Sequence, residues 1–274
     1  MSILQNILKR NNVHIIGEGE TTLVFGHGLA CDQKIWNTIL PHFEEDYQIV
    51  LYDYVGSGNS DLSAFDQTRY SSMHGYAKDL LEILEAIEAE KVIFIGHSVS
   101  AMVGILASIE RPDYFEDLIL IGSSARYLND EPNYHGGYDE SDIEELITMM
   151  EMNFSGWATL AAASFMNNPD RPLLTEQLIE VYQEENPAMM KSFAEVVFLS
   201  DHRQDLPKVT VPSLIMQCSE DSIVPLESAE HLHNHLEKSE LVVMEATGHY
   251  PQLSYPEETV RTILEYINPT ASKE

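Results

Sequence analysis

The stretch KVIFIGHSVSAMVGILASIE, residues 91–110, decides the fold of this chain of 274 residues. Its first part, rich in β-branched and aromatic residues, predicts a buried strand, and the run AMVGILASIE predicts a helix. Between them, Gly96-His97-Ser98-Val99-Ser100 is short enough to place Ser98 at the tip of a sharp turn. Such a strand, turn and helix can lift a serine hydroxyl out of a sheet as a nucleophile. Ser100 stands where this pattern usually has a second glycine. The alternative is that Ser98 and Ser100 only cap the helix.

Around this unit, nearly continuous apolar runs alternate with helical patterns. The runs are residues 21–26, 47–53, 118–123, 212–218 and 241–246, and the helical patterns include 76–88 and 101–109. Strands that are apolar on both faces are typical of a parallel sheet covered by helices. We therefore predict an α/β fold, a doubly wound and mostly parallel sheet. Residues 13–16 are predicted to add an antiparallel edge strand.

The strand pattern stops between residues 127 and 198. Four helical segments replace it, at 141–152, 155–165, 175–183 and 187–198. An all-helical insertion between two strands is expected at the carboxyl edge of the sheet, where α/β folds bind ligands. The sequence thus predicts an α/β core made of residues 1–126 and 199–274, and a four-helix cap made of residues 127–198.

Two late strands deliver an acid and a base to the same edge. Asp221 follows the run at 212–218, and His249 follows the run at 241–246. The chain order serine, aspartate, histidine is that of the α/β-hydrolase fold. We predict that Ser98, Asp221 and His249 form the catalytic triad of a serine hydrolase that acts on carboxylic esters. Glu220 and Asp201 are rival acids.

The loop Gly26-His27-Gly28-Leu29-Ala30 follows the first long strand. In this fold, that position offers a backbone N–H to the substrate oxygen. We predict an oxyanion hole made by the N–H groups of Leu29 and Val99. Strand alternation is expected to turn the side chain of His97 away from the site. Residues 53–60 are interpreted as a tight structural turn, because the glycine and helix of a nucleotide-binding loop do not follow.

Composition excludes several classes of function. With 45 acidic and 15 basic residues, the formal net charge is −30, so we expect no binding to nucleic acid or to anionic membranes. No segment resembles a signal peptide or a membrane span, so a cytoplasmic location is expected. Cys31 and Cys218 are expected to be buried free thiols. His231, His233 and His235 are interpreted as a solvated helix face rather than a metal site, and no cofactor is predicted.

Nearly the whole chain resembles the RsbQ-like bacterial stress-signalling hydrolases, which are related to the plant karrikin and strigolactone receptors. The most specific stretches are RNNV (10–13), DYVGSGNSDL (53–62), GHSVSAM (96–102), YLND (127–130), GWAT (156–159), NPDRP (168–172) and SDHRQDLPKVTVPSLI (200–215). The last two favour the bacterial branch.

The resemblance implies a triad at Ser98, Asp221 and His249, and a four-helix cap over an apolar pocket. Candidate pocket residues carried over by position are Tyr127, Trp157, Phe198 and Ile223, with core packing as the alternative role. A small hydrophobic ester or lactone is the implied ligand, and a PAS-containing PP2C-type phosphatase that activates the sigma-B stress response is the implied partner. A general metabolic esterase and a ligand-binding module with little turnover remain alternatives. Leu29 departs from the family, which usually has phenylalanine there.

Overall fold

Seven strands form a single sheet in the part of the chain that the structure, a computed structural model, describes, residues 3–269. They are β1 (His14–Ile16), β2 (Thr21–Gly26), β3 (Tyr47–Leu51), β4 (Val92–His97), β5 (Phe115–Ile121), β6 (Ser213–Glu220) and β7 (Ser239–Thr247). Their order across the sheet is β1-β3-β2-β4-β5-β6-β7. β1 runs antiparallel to β3, and the other neighbours are parallel. The predicted sheet, including its antiparallel edge strand, is confirmed.

Ten α-helices accompany the strands within residues 3–269. They are α1 (Ile3–Arg10), α2 (Met73–Ala86), α3 (Val99–Glu110), α4 (Glu140–Met152), α5 (Phe154–Met166), α6 (Pro172–Glu184), α7 (Pro187–Phe198), α8 (Leu226–His235), α9 (Pro251–Ser254) and α10 (Pro256–Ile267). Every residue of β4 is buried, and ten of the twelve residues of α3 are buried too. This burial is expected of the central strand of a doubly wound sheet and the helix that packs on it.

Helices α4 to α7 lie between β5 and β6 in the chain, close to the predicted positions. Their starts follow the usual capping chemistry. The Asn153 side chain accepts a hydrogen bond from the N–H of Gly156 at the start of α5, and Pro172 opens α6. Helix α5 packs against α4 and α6, and α4 also packs against α7. The exact residues at which core and cap divide stay a prediction.

Several smaller predictions are also settled by packing. Cys31 and Cys218 are buried and free, as predicted. His233 and His235 are exposed, but His231 is half-buried, and its ring centroid lies 4.9 Å from that of Tyr134. The prediction of a solvated face is therefore wrong for His231. None of the helices within residues 3–269 has the length and hydropathy that crossing a bilayer requires.

Candidate active site

Ser98 stands between β4 and α3 in a strained backbone conformation. Its φ is +56° and its ψ is −119°, in a region that residues with a side chain rarely adopt. The Ser98 N–H donates to the carbonyl of Ile121 on the neighbouring strand at 2.8 Å. Because the flanking strand and helix are buried, the surrounding structure can hold this strain. The turn therefore presents the Ser98 hydroxyl beyond the carboxyl end of the central strand.

Close packing at this turn explains the small residues around Ser98. A Cβ atom on Gly96 would lie 2.7 Å from the carbonyl carbon of Ser100 and 2.8 Å from the N atom of Ala101. Only glycine allows β4 and α3 to approach this closely. Ser100 is bound through its hydroxyl, which donates to the carbonyl of His27 and lies 2.5 Å from the Tyr54 hydroxyl. Serine at this position therefore links the turn that carries Ser98 to the loop that follows β2.

His249 and Asp221 form a buried pair. The Nδ1 atom of His249 lies 2.8 Å from Oδ2 of Asp221, and the two side chains are 1% and 0% exposed. The Oδ1 atom of Asp221 accepts the N–H groups of Ile223 and Val224 at 2.8 and 3.0 Å. A carboxylate can only accept, so Nδ1 of His249 carries the proton and Nε2 is the basic nitrogen.

The rival acids do not contact this histidine. Glu220 is exposed, and its backbone carbonyl accepts the N–H of Gly248. The carboxylate of Asp201 binds Arg126 at 2.6 Å and Arg203 at 2.7 Å. These guanidinium groups hold the pKa of Asp201 well below its usual range, although its partial burial opposes them. The structure thus brings Asp221, and neither rival, to His249.

The Nε2 atom of His249 is buried and has no hydrogen-bond partner among the described residues. The Ser98 side chain instead interacts with the Tyr127 hydroxyl. The pKa of Tyr127 is raised to about 12, mainly by burial, and the interaction with Ser98 opposes this increase. Ser98 and His249 both line the same small cavity. Catalytic hydrogen bonds are often unformed before substrate binds. The assignment of Ser98, Asp221 and His249 as one catalytic triad stays a prediction.

Two further histidines frame the site. The Nε2 atom of His97 lies 2.7 Å from the carbonyl oxygen of His249, and the two ring centroids are 4.9 Å apart. Burial, followed by the proximity of His249, lowers the pKa of His97 well below its usual value. His97 is therefore a neutral group that donates to the backbone of His249. Its ring does not line the cavity beside Ser98, in agreement with the predicted orientation, and it packs against His249.

His27 fixes the loop that carries Leu29. Its Nε2 atom accepts the N–H of Tyr54 at 3.2 Å, and its Nδ1 atom lies 2.9 Å from the carbonyl of Gly28. Because Nε2 is the acceptor, the proton is on Nδ1 and is donated to Gly28. Burial lowers the pKa of His27 and keeps the ring neutral. Sequence reasoning missed this role, although His27 stands directly before Gly28.

The two residues predicted to supply the oxyanion donors are both near Ser98. Val99 is the first residue of α3, and the first N–H groups of a helix have no partner within it. Leu29 lines the cavity with Ser98. Gly122, after β5, comes close to the site as well, because a Cβ there would lie 3.0 Å from Cε1 of His249. The oxyanion hole itself stays a prediction.

The cavity beside Ser98 measures about 20 Å³, and residues of α5, α6 and α7 form part of its wall. Its lining comprises Leu29, Ser98, Tyr127, Trp157, Phe165, Tyr182, Val197, Phe198, Ile223, His249 and Tyr250. The four candidate pocket residues from the sequence are all among them. The predictions missed four others, namely Phe165, Tyr182, Val197 and Tyr250. Of these, Tyr250 had a signal in the sequence, since it directly follows His249.

A serine on a sharp turn after the central strand, and a carboxylate and a histidine after two later strands, define the α/β-hydrolase class. The chain belongs to this family, since the family model described as alpha/beta hydrolase fold matches residues 21–256.

Individual relatives cover nearly the full length. The chain is 38% identical to the karrikin insensitive 2 receptor CA of Petunia hybrida, over 94% of this chain and 96% of the relative. It is 40% identical to the strigolactone esterase D14 of Arabidopsis thaliana, over 92% and 94%. Among solved structures, it is similar to a hydrolase from Oleispira antarctica, with a TM-score of 0.93 and 36% identity over 96% of this chain and 97% of that one.

Proposed function

We propose that the protein is a serine hydrolase that cleaves a small hydrophobic ester or lactone. One observation carries the proposal: His249, paired with buried Asp221, keeps a buried Nε2 atom without a hydrogen-bond partner among the described residues, and it lines the same cavity as Ser98 on its strained turn. Buried polar atoms without partners are rare in folded proteins. An imidazole nitrogen in this position is ready to accept a proton from the serine.

The reaction follows from these positions. The Ser98 hydroxyl attacks the carbonyl carbon of the ester while Nε2 of His249 takes its proton. The carbonyl oxygen becomes an oxyanion and accepts hydrogen bonds from the N–H groups of Leu29 and Val99. The C–O bond to the alcohol then breaks, and His249 returns the proton to the leaving oxygen. Water attacks the acyl-serine with His249 as the base, which releases the acid and restores Ser98.

Asp221 and His97 support His249 without reacting. Asp221 stabilises the imidazolium that forms during each proton transfer. His97, held neutral by burial, does not place a second positive charge beside that imidazolium.

Hydrolysis of p-nitrophenyl acetate by the wild-type protein and by Ser98→Ala tests the proposal. We expect the variant to lose activity by a factor of about 10³ or more. Intact mass after treatment with diethyl p-nitrophenyl phosphate should show one added diethyl phosphoryl group in the wild type and none in the variant. Neither turnover nor labelling in the wild type would instead favour a ligand-binding module without chemistry.

The coupling of hydrolysis to signalling is the finer part of the proposal. It is supported by the receptor names of full-length relatives at 38% identity and by the resemblance to RsbQ-like proteins. The proposed partner is a PAS-containing PP2C-type phosphatase. A pull-down with the purified protein as bait, followed by mass spectrometry, should identify a protein that carries both domains. Fast turnover of generic esters without such a partner would favour a metabolic esterase.

A further inference from the structure

The cavity beside Ser98 is small for a ligand site. Its volume of about 20 Å³ is close to the space that one water molecule needs. Pockets that enclose drug-sized ligands usually measure about 300–1,000 Å³. The residues that close this cavity therefore decide which substrates reach Ser98.

Two tyrosines join the cap to the core at this cavity. Tyr182 is on α6 of the cap, and Tyr250 follows His249 in the core. Their hydroxyl oxygens lie 2.5 Å apart, and the residues are 1% and 2% exposed. Both line the cavity. A short hydrogen bond between buried groups is costly to break unless each group finds a new partner.

Neighbouring aromatic rings pack against both tyrosine rings and hold them in place. The Tyr182 ring stacks on Trp157, with centroids 5.4 Å apart and planes at 19°. The Tyr250 ring lies 4.9 Å from the ring of His97 and stands edge-on to His249 at 5.5 Å. The Cys31 thiol also donates to the Tyr250 hydroxyl at 3.8 Å. The pair is thus a fixed wall rather than two loose side chains.

We propose that the Tyr182–Tyr250 pair limits the length of the acyl group that the substrate can carry. This inference rests on the proposed function. The alcohol leaves first and must reach solvent, whereas the acyl group stays on Ser98 until water removes it. The acyl group is therefore the part of the substrate that we assign to the cavity lined by the two tyrosines. One methylene that a pocket does not accommodate changes kcat/KM by about 10–200-fold.

The test is the kcat/KM of p-nitrophenyl acetate, butyrate, hexanoate and octanoate. For the wild type, we expect hexanoate to fall below acetate by at least about 10-fold. Tyr182→Leu and Tyr250→Leu should each raise the ratio of hexanoate to acetate by about 10-fold or more. The ratio within one variant cancels any general loss of activity. Tyr182→Phe and Tyr250→Phe keep both rings and should raise this ratio less, about 2- to 5-fold, by removing the hydrogen bond alone.

Tyr52 supplies the matched control. It is fully buried, and its hydroxyl donates to that of Tyr54 at 3.1 Å, but it does not line the cavity. Tyr52→Leu should therefore keep the wild-type ratio. A wild-type profile that is flat from acetate to octanoate overturns the inference, and so do leucine variants whose ratio matches that of Tyr52→Leu. Where a leucine variant does not fold, the wild-type profile and the phenylalanine variants decide.

The two proposals fail in different ways. Turnover of acetate and labelling of Ser98, together with a flat chain-length profile, would overturn only the role of the tyrosine pair. If no ester were cleaved and Ser98 stayed unlabelled, both the proposed hydrolase function and this inference would be refuted.

Discussion

At the scale of single residues, Ser100 shows how a departure from a familiar motif is accommodated. The pattern around a nucleophilic serine usually has glycine there, because strand and helix are close. Here, the side chain fits because its hydroxyl has two buried partners, the carbonyl of His27 and the hydroxyl of Tyr54. Serine in place of glycine thus adds hydrogen bonds that link the turn at Ser98 to the loop that carries Leu29.

We predict that Ser100→Ala destabilises the protein by about 1–3 kcal/mol, since it leaves the buried carbonyl of His27 without its partner. The free energy of unfolding in urea measures the effect. Ser108→Ala, in the same helix, is the control. The Ser108 hydroxyl donates to the carbonyl of Ile105 within α3, and that carbonyl keeps its helical partner. A loss at Ser108 as large as that at Ser100 would contradict the explanation.

Asp221→Asn should lower kcat for p-nitrophenyl acetate by about 10³–10⁴-fold while the fold stays intact. The two backbone N–H groups that bind Oδ1 hold an acceptor there. The amide nitrogen of asparagine would therefore face Nδ1 of His249 and move the ring proton to Nε2, so the base is lost. Glu220→Gln, one residue earlier and exposed, should keep kcat within about 2-fold. Equal losses in both variants would rule out this tautomer argument.

At the scale of elements, the segment between α6 and α7 contacts the turn at residues 53–60. Both carboxylate oxygens of Glu185 accept the N–H of Gly58, at 3.1 and 3.3 Å. The pKa of Glu185 is raised to about 8, mainly by burial; Asp32 and Asp53 contribute to the increase, while the Gly58 N–H and Lys34 oppose it. The segment interpreted as a tight structural turn therefore also binds the segment between α6 and α7.

This contact predicts a pH-dependent stability. The pKa of Glu185 is raised in the folded state, so its contribution to stability is fully present below its unfolded pKa of about 4.5. That contribution is lost as the pH rises toward 8. One pKa unit corresponds to 1.36 kcal/mol, so the change between pH 4.5 and pH 8 reaches about 3–5 kcal/mol at most.

Glu185→Gln removes this titration and keeps an oxygen that accepts the Gly58 N–H. We expect the free energy of unfolding of the variant, relative to that of the wild type, to increase as the pH rises from 5 to 8. Unfolding of both proteins at each pH measures this difference. Glu184→Gln is the adjacent control, because Glu184 is exposed and pairs with Lys34 at 3.3 Å. A difference between Glu185→Gln and wild type that does not change with pH would exclude a raised pKa at Glu185.

The elements were easier to predict than the contacts between them. Apolar runs and helical spacing predict the strands and helices. Ser98, Asp221 and His249 each follow a predicted strand, and the ends of parallel strands meet at one edge of the sheet, so the sequence also predicts that these three residues lie close together. Contacts between side chains far apart in the chain, and the burial of single polar residues, gave no such signal. The Tyr182–Tyr250 bond joins residues 68 positions apart, and Glu185 is one of 45 acidic residues until burial distinguishes it. The contact of His97 with His249 gave no signal either, because the two residues are 152 positions apart.

At the scale of the whole molecule, the main feature is the large excess of negative charge. The formal net charge of −30 creates repulsion that opposes the compact state. Local networks offset part of it. Arg10 pairs with the buried carboxylate of Asp79 at 3.0 Å and with Glu82 at 2.6 Å, and Arg69 binds the same two acids. With only 15 basic residues, most carboxylates have no cation to pair with.

Salt should therefore stabilise this protein. Raising NaCl from 20 mM to 0.5 M shortens the range of electrostatic repulsion to a few ångströms, and the repulsion is spread over the surface, where screening is effective. We expect the Tm at pH 7.5 to rise by at least about 3 °C, since 1 kcal/mol shifts the Tm of a protein of this size by about 2–4 °C. At pH 5, where carboxylates begin to bind protons, the same step in salt should raise the Tm less. Differential scanning calorimetry at both pH values measures this. A Tm that falls with salt at pH 7.5 would mean that the ion pairs of Arg10 and Arg69, and others like them, outweigh the repulsion among the unpaired acids.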